Sequence, residues 1–105
     1  MKFTINNYIS KHASVFKSMD LTRVQQCLDL VTNTINNNKK IITCGNGGSA
    51  STASHYITDW NKMYNLATGK KFRGLSLTDN VGLITAYGND ISYDEVFSGQ
   101  IDTLM

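Results

Sequence analysis

The fold is decided by a stretch rich in glycine and hydroxyl groups, Cys44-Gly45-Asn46-Gly47-Gly48-Ser49-Ala50-Ser51-Thr52. The residues before it, from Lys40 to Cys44, are largely β-branched and lack helical periodicity, which predicts a short buried strand. From Ser49 to about Tyr64, apolar residues recur at helical three- and four-residue spacing, which predicts a helix. The stretch is therefore a loop from the end of a strand to the start of a helix.

The residues that follow this helix predict a second strand over Arg73–Leu77. The order strand, helix, strand is a βαβ unit, so we expect parallel strands joined by a right-handed crossover. A further helix is predicted with Thr78 or Asp79 as its N-cap, ending at Gly88 in a left-handed cap. A last helix is predicted to begin near Tyr93. The fold class is therefore α/β.

The residues before the first strand predict two helices. Apolar residues at helical spacing indicate one helix over Thr4–Ser18, and a cleaner apolar stripe over Leu21–Ile35 follows Asp20, a favourable N-cap residue. We expect residues 1–38 to form a helical region and residues 39–105 to form a partial α/β domain. Two strands are fewer than the roughly four to six of a usual sheet, so the domain is predicted to be truncated.

Composition and charge exclude several classes of protein. Ten Lys and Arg against eight Asp and Glu give a net charge of +2, too small and scattered for a nucleic-acid partner. No apolar run is long enough to span a bilayer, and the N-terminus lacks the apolar centre of a signal peptide, so a soluble cytoplasmic protein is expected. The two cysteines, Cys27 and Cys44, have no paired spacing and are expected to be buried, reduced thiols.

The glycine-rich loop has the chemistry of an anion site. In an open α/β sheet, ligands collect at the carboxyl ends of the strands, where this loop lies. Glycines allow bare N–H groups to approach an anion, and the positive end of the helix dipole favours phosphate. Nearby hydroxyls add donors without adding charge, which suits a phosphorylated small molecule. These hydroxyls belong to Ser49, Ser51, Thr52 and Ser54.

Three other interpretations of the loop are possible. A nucleoside-triphosphate loop is excluded because no lysine follows Gly48. A dinucleotide loop fits the spacing of Gly45, Gly47 and Ala50, but its ribose-binding acid should lie about 20 residues on. Asp79 comes roughly ten residues too late and is better explained as a helix cap. A tight strand-to-helix turn without a ligand remains the simplest alternative.

One helix face after the loop carries an acid–base pair. His55 and Asp59 are four residues apart, so they lie on one face, nearly opposite the apolar stripe of the same helix. An imidazole and a carboxylate at this spacing can share a metal ion or orient one another for proton transfer. A solvated polar face is the alternative for the pair considered alone. Its position just beyond a phosphate loop favours a functional role.

These features resemble a known family. The run Cys44–Ser49, together with His55 and Asp59, is similar to the sugar isomerase (SIS) domain family, in particular its sedoheptulose 7-phosphate, or phosphoheptose, isomerases. The resemblance implies a flavodoxin-like, doubly wound fold of which this chain looks like the N-terminal portion. It covers essentially the whole chain, including the later segments Leu75–Asp79, Gly88–Asp90 and Tyr93–Phe97.

The resemblance implies roles for individual residues. His55 matches a zinc ligand of several members, and Asp59 stands where the family usually has a glutamate that is both base and metal ligand. Zinc is thus the implied cofactor, with His55 and Asp59 as ligands and Asp59 as the catalytic base. The resemblance implies that substrate contacts Asn46, Gly47, Gly48, Asn89 and Asp90. The loop serines Ser49 and Ser51 complete the set of expected substrate-binding residues.

The implied reaction converts sedoheptulose 7-phosphate to D-glycero-D-manno-heptose 7-phosphate, for nucleotide-activated heptose in lipopolysaccharide or capsule synthesis. A homotetramer is implied, with the N-terminal helices packing between subunits. The sequence departs from the family at Asp59, which is one methylene shorter than glutamate, and the family's Ser-Thr-Ser loop and later glutamine and histidine lie beyond residue 105. Two alternative functions remain. The chain could be a non-catalytic SIS-type module that binds a phosphosugar or a protein, or it could be a small nucleotide-binding domain.

Overall fold

A computed structural model describes residues 2–104; Met1 and Met105, which end the two predicted regions, lie outside the described residues. The described residues form two compact units, the first ending at Thr32 and the second beginning at Asn33. None of the helices within residues 2–104 has the length and apolar character needed to cross a membrane. The elements are α1 (Ile5–Lys17), α2 (Leu21–Asn36), β1 (Lys40–Thr43), α3 (Gly48–Asp59), a π-helical turn (Trp60–Tyr64), α4 (Asn65–Thr68), β2 (Arg73–Ser76), α5 (Val81–Asp90), a 3₁₀ turn (Tyr93–Glu95) and α6 (Ser98–Leu104).

Both predicted N-terminal helices are present, and each begins at a side-chain cap. The Thr4 hydroxyl accepts a hydrogen bond from the backbone N–H of Asn7 (3.1 Å), which fixes the first turn of α1. Asp20 caps α2, as predicted, by accepting from the N–H groups of Thr22 and Arg23. Every residue of α1 and α2 is described, and none is buried. The two apolar stripes are therefore largely exposed, and only Val31 and Ile35 of the α2 stripe are half-buried.

The predicted βαβ unit is confirmed. Strands β1 and β2 are parallel, with Ile42 opposite Leu75, and α3 lies between them in the chain. The apolar stripe of α3 faces the strands, and its Ala53 and Ile57 are buried. The remaining apolar core consists of Phe72, Leu77 and Val96.

The prediction that the first strand and both thiols are buried is wrong. Ile41, Ile42 and Thr43 are only half-buried, because a sheet of two strands with few covering helices leaves part of each face open. Cys44 lies just past the end of β1 and is exposed. Cys27 is also exposed, since no residue of α2 is buried. Neither cysteine forms a disulfide bond in this structure.

The helix after the loop is longer than predicted and contains a π-helical turn. It runs from α3 through the π-helical turn into α4, and Gly69 ends it in a left-handed conformation (φ 70°). Within the π-helical turn, the Asn61 side chain donates to the carbonyl of Gly74 (3.1 Å) and accepts from its N–H (3.0 Å). Because Leu77, three residues later, bonds to Thr43 of β1, Gly74 faces the opposite edge of β2. The Asn61 amide therefore closes this edge.

We expect Asn61→Ala to leave the N–H and the carbonyl of Gly74, at the outer edge of β2, without their hydrogen-bond partner. The loss of two solvent-accessible hydrogen bonds lowers the free energy of unfolding by about 1 kcal/mol. Amide hydrogen exchange should accelerate at Gly74 and stay unchanged at Leu77, whose N–H bonds to β1. Lys62→Ala, at the exposed neighbouring position, is the control. Equal exchange at Gly74 in both variants would show that the Asn61 contact does not protect the strand.

The predicted boundaries of the last helices need correction. Neither Thr78 nor Asp79 caps α5; Asn80 does, because its side chain accepts from the N–H of Leu83 (3.0 Å). Gly88 does not end α5, which continues to Asp90, so the expected Gly-Asn-Asp turn is the last helical turn. The final predicted helix is divided into the 3₁₀ turn and α6. Buried Val96, between these two elements, anchors this part of the chain.

Candidate functional site

The glycine loop holds its shape through two glycines. Gly47 has φ 56° and ψ −124°, a conformation that residues with a side chain rarely adopt. A Cβ atom at Gly45 would lie 2.6 Å from the backbone carbonyl carbon and oxygen of Ser49, so the loop can fold back only if this position has no side chain. Within the described residues, the N–H groups of Gly47 and Gly48 have no hydrogen-bond acceptor. They are therefore available to a ligand at the start of α3.

The four loop hydroxyls divide into two kinds. Those of Ser49 and Ser51 have no hydrogen-bond partner among the described residues. The Thr52 hydroxyl donates to the carbonyl of Gly48 (3.2 Å). Ser54 donates to Asp79 Oδ1 (2.5 Å), so its hydroxyl is taken up within the protein. Ser49 and Ser51 thus keep the donors that the sequence predicted for a ligand.

A hydroxyl cluster ties α3 to the end of β2. Thr78 Oγ1 lies 2.9 Å from Ser54 Oγ and 2.6 Å from Ser76 Oγ, and it also reaches the carbonyl of Ala50 (3.4 Å). Asp79 joins the cluster through Ser54. Asp79 therefore acts as a structural acceptor rather than as the ribose-binding acid of a dinucleotide site. No sequence pattern predicts this cluster, because its two halves are about 25 residues apart.

His55 and Asp59 meet on the exposed face of α3. The imidazole Nε2 lies 3.2 Å from Asp59 Oδ2, and the two side chains are 74% and 57% exposed. The predicted placement opposite the buried stripe, Ala53 and Ile57, is therefore observed. At this distance the imidazole and the carboxylate can share a proton or hold one another in a fixed orientation.

Two open grooves adjoin on this side of α3. One, of about 420 Å³, is lined by Ser51, Thr52, His55, Tyr56 and Asp59. The other, of about 450 Å³, extends along the loop and the end of β1, and Thr52 and Tyr56 line it as well. Thr52 and Tyr56 therefore lie between the hydroxyl-bearing loop and the acid–base pair. The residues that line the second groove are Ile42, Thr43, Cys44, Ser49, Thr52, Ala53 and Tyr56.

Of the predicted substrate residues, only Ser49 and Ser51 line these grooves; neither groove is lined by Asn46, Gly47, Gly48, Asn89 or Asp90. Asn89 Nδ2 donates to Asp90 Oδ1 (2.9 Å), and Asp90 borders a smaller groove of about 190 Å³ beside α5. A connection to the loop comes instead from Tyr93, whose hydroxyl donates to Asn46 Oδ1 (2.8 Å). The sequence did not predict this contact, since the two residues are 47 positions apart.

The residues present do not form a complete zinc site. Across residues 2–104, no group of three or more His, Cys, Asp and Glu side chains is arranged to hold a metal ion. His55 and Asp59 supply two donors, whereas protein zinc sites use at least three protein ligands. A zinc ion at this pair would therefore need donors from outside the described chain.

Comparison with known proteins identifies relatives over nearly the whole chain. No family model matches the sequence. The phosphoheptose isomerase of Campylobacter concisus is 33% identical over 99% of this chain and 56% of its own length. That of Helicobacter pylori is 38% identical over 77% of this chain and 42% of its own length. A probable phosphoheptose isomerase of Thermoplasma acidophilum is 32% identical over 92% of this chain and 53% of its own length.

Comparison with solved structures also finds similarity to a phosphoheptose isomerase. The structure of phosphoheptose isomerase GmhA from Neisseria gonorrhoeae matches with a TM-score of 0.71 and 29% identity, covering 96% of this chain and 55% of that one. The predicted α/β SIS-type fold, truncated relative to its relatives, is thereby confirmed. This chain spans about half the length of the curated relatives that it matches. By sequence and by fold, nearly the whole of this chain is similar to about half of a phosphoheptose isomerase.

Proposed function

We propose that this chain carries the substrate loop and the base of a cytoplasmic sugar-phosphate isomerase. Its reaction converts sedoheptulose 7-phosphate to D-glycero-D-manno-heptose 7-phosphate, on the route to nucleotide-activated heptose for lipopolysaccharide or capsule. The observation that carries the proposal is the shared surface of the two adjoining grooves: Thr52 and Tyr56 line both the groove at the loop and the groove at Asp59. A ligand that spans both grooves would contact the hydroxyls of Ser49 and Ser51 and the carboxylate of Asp59.

The loop binds the sugar phosphate through uncharged donors. The N–H groups of Gly47 and Gly48 and the hydroxyls of Ser49 and Ser51 are free to donate to its oxygens. The start of α3 adds the positive end of the helix dipole. Neutral donors suit hydroxyl, carbonyl and phosphate oxygens alike, which is what a phosphorylated sugar presents.

Asp59 removes the proton in the isomerisation. Its carboxylate takes a proton from C1 of the ketose, next to the carbonyl at C2, and the C–H electron pair forms the C1–C2 double bond of an enediol as O2 gains a proton. Return of a proton to C2, with loss of the proton from the hydroxyl on C1, gives the aldose. His55, 3.2 Å from Asp59, orients the carboxylate and can exchange a proton with it. The reaction is a net proton transfer and needs no oxidant.

A zinc ion would be a partner of His55 and Asp59 only. These two side chains would supply two ligands, and the others would have to come from outside the described chain. When bound, such an ion stabilises negative charge on the substrate oxygens as a Lewis acid. Substrate binding by the loop does not depend on it.

The apolar faces of α1 and α2 support a homo-oligomer, proposed here as a tetramer. These helices have no buried residue, and their large side chains include Phe16 at 67% and Leu21 at 72% exposed. Burial of such surface between copies of the chain would contribute roughly 25 cal/mol for each Å² removed from water. Sedimentation equilibrium measures the association state directly.

The proposed function is tested by incubating the 105-residue chain with sedoheptulose 7-phosphate, with and without added zinc. NMR monitors the conversion of the sugar phosphate. Formation of the aldoheptose phosphate establishes an isomerase. Saturable binding of the sugar phosphate without conversion would instead indicate a non-catalytic phosphosugar-binding module. The aspartate at position 59, where the family usually has glutamate, favours this alternative. Absence of both binding and conversion would reject the function for this chain.

A further inference from the structure

Tyr93 connects the two parts of the chain that were predicted to contact substrate. Its hydroxyl donates to the side-chain oxygen of Asn46 in the glycine loop at 2.8 Å. Its ring lies beside the last turn of α5, where a Cβ atom at Gly88 would be 3.8 Å from the ring edge. Val96, which is 2% exposed, anchors the chain just after the 3₁₀ turn that carries Tyr93. The hydroxyl is therefore held in place from the α5 side.

We propose that Tyr93 is a positioning residue that fixes the orientation of the Asn46 amide for the sugar phosphate. This inference rests on the proposed function and adds a residue to it. An asparagine amide has a donor end and an acceptor end, and free rotation exchanges them. Because Tyr93 occupies the oxygen of Asn46, the amide nitrogen is directed elsewhere. Among the described residues, that nitrogen has no hydrogen-bond acceptor.

The fixed amide adds one hydrogen-bond donor to those of the loop. The Asn46 amide nitrogen joins the N–H groups of Gly47 and Gly48 and the hydroxyls of Ser49 and Ser51, which also lack protein partners. Such a set selects ligand atoms that accept hydrogen bonds, such as phosphate, carbonyl and ether oxygens. A rotated amide would place an oxygen against these atoms and repel them. Tyr93 therefore contributes to recognition without touching the ligand.

The experiment compares Tyr93→Phe, which removes only the hydroxyl, with Tyr8→Phe on α1 as the matched control. NMR relaxation of the Asn46 side-chain amide should show restricted motion in the parent chain and in Tyr8→Phe, and free motion in Tyr93→Phe. The Kd for sedoheptulose 7-phosphate should rise about threefold to tenfold in Tyr93→Phe, as expected for one lost orienting hydrogen bond. Urea unfolding checks that each variant is folded.

A double-mutant cycle then tests whether Tyr93 acts through Asn46. In an Asn46→Ala background, Tyr93→Phe should change the Kd less than about twofold, because the amide that it positions is gone. Equal effects of Tyr93→Phe with and without Asn46 would overturn the proposal, as would an Asn46 amide that is equally mobile in all variants. A restrained Asn46 amide in a chain that binds no sedoheptulose 7-phosphate would reject the proposed function, while supporting the positioning of Asn46 by Tyr93.

Discussion

Replacement of Asp59 by asparagine is expected to lower the rate of sedoheptulose 7-phosphate isomerisation by about 10²- to 10⁴-fold, the usual contribution of a positioned general base. The amide is close in size to the carboxylate but cannot accept the C1 proton. It can still contact His55, so the local packing of α3 is preserved. Sugar-phosphate affinity, which depends on the loop, should change little. The measurement is turnover and Kd side by side for the parent chain and Asp59→Asn.

Two further variants give this prediction its controls. Asp102→Asn makes the same chemical change at an exposed position of α6 and should leave turnover unaltered. Asp59→Glu retains a carboxylate on a longer side chain, so it should be far more active than Asp59→Asn. Its rate relative to the parent chain measures the reach of the base, since a displacement of about 1 Å can cost about a hundredfold. Full turnover by Asp59→Asn would exclude Asp59 as the base.

A methyl group at Gly45 is expected to disrupt the loop itself. In Gly45→Ala, the added Cβ would lie 2.6 Å from the backbone carbonyl of Ser49, and backbone atoms cannot rotate away. The first turn of α3 must shift, which should lower the free energy of unfolding by about 1–3 kcal/mol, as for other overpacked positions. Sugar-phosphate binding should weaken by at least about tenfold, because the donors of Gly47, Gly48 and Ser49 move with that turn.

Gly82→Ala is the matched control for this change. In α5, a Cβ atom at Gly82 would meet only the Asn80 side-chain oxygen, at 3.4 Å, and alanine is favoured over glycine within a helix by up to about 1 kcal/mol. We therefore expect Gly82→Ala to be neutral or stabilising. Fluorescence of Trp60, the single tryptophan, reports urea unfolding of both variants. Equal stability and equal Kd for Gly45→Ala and the parent chain would show that the loop tolerates a side chain there.

Local sequence patterns determined much of this protein. The periodicity of α1, α2 and α3, the cap at Asp20 and the β-branched run of β1 are short-range signals, and the structure confirms all of them. Helical geometry alone placed His55 beside Asp59, because residues four apart lie one above the other. The glycine-rich loop was predicted in the same way. Residue types at fixed spacing suffice where the physics is local.

Boundaries were less well determined where neighbouring residues compete for the same role. Thr78, Asp79 and Asn80 can all cap a helix, and the sequence favoured the first two. Asn80 is the cap in the structure, because Thr78 is hydrogen-bonded to Ser54 and Ser76 and Asp79 is hydrogen-bonded to Ser54. The burial of β1 and of the cysteines was also misjudged. Burial depends on what covers a residue, and a chain of about half its relatives' length covers little.

Only the tertiary structure decided which distant groups meet. The Asn61 amide closes the edge of β2, and Tyr93 reaches Asn46 across 47 residues of sequence. Neither contact leaves a periodic or compositional trace, because each depends on how whole elements pack. The sequence by itself thus determined the helices, the parallel strands, the loop and the acid–base pair. The packing decided which loop donors remain free and what holds them, since a hydrogen bond depends on position in space rather than on spacing along the chain.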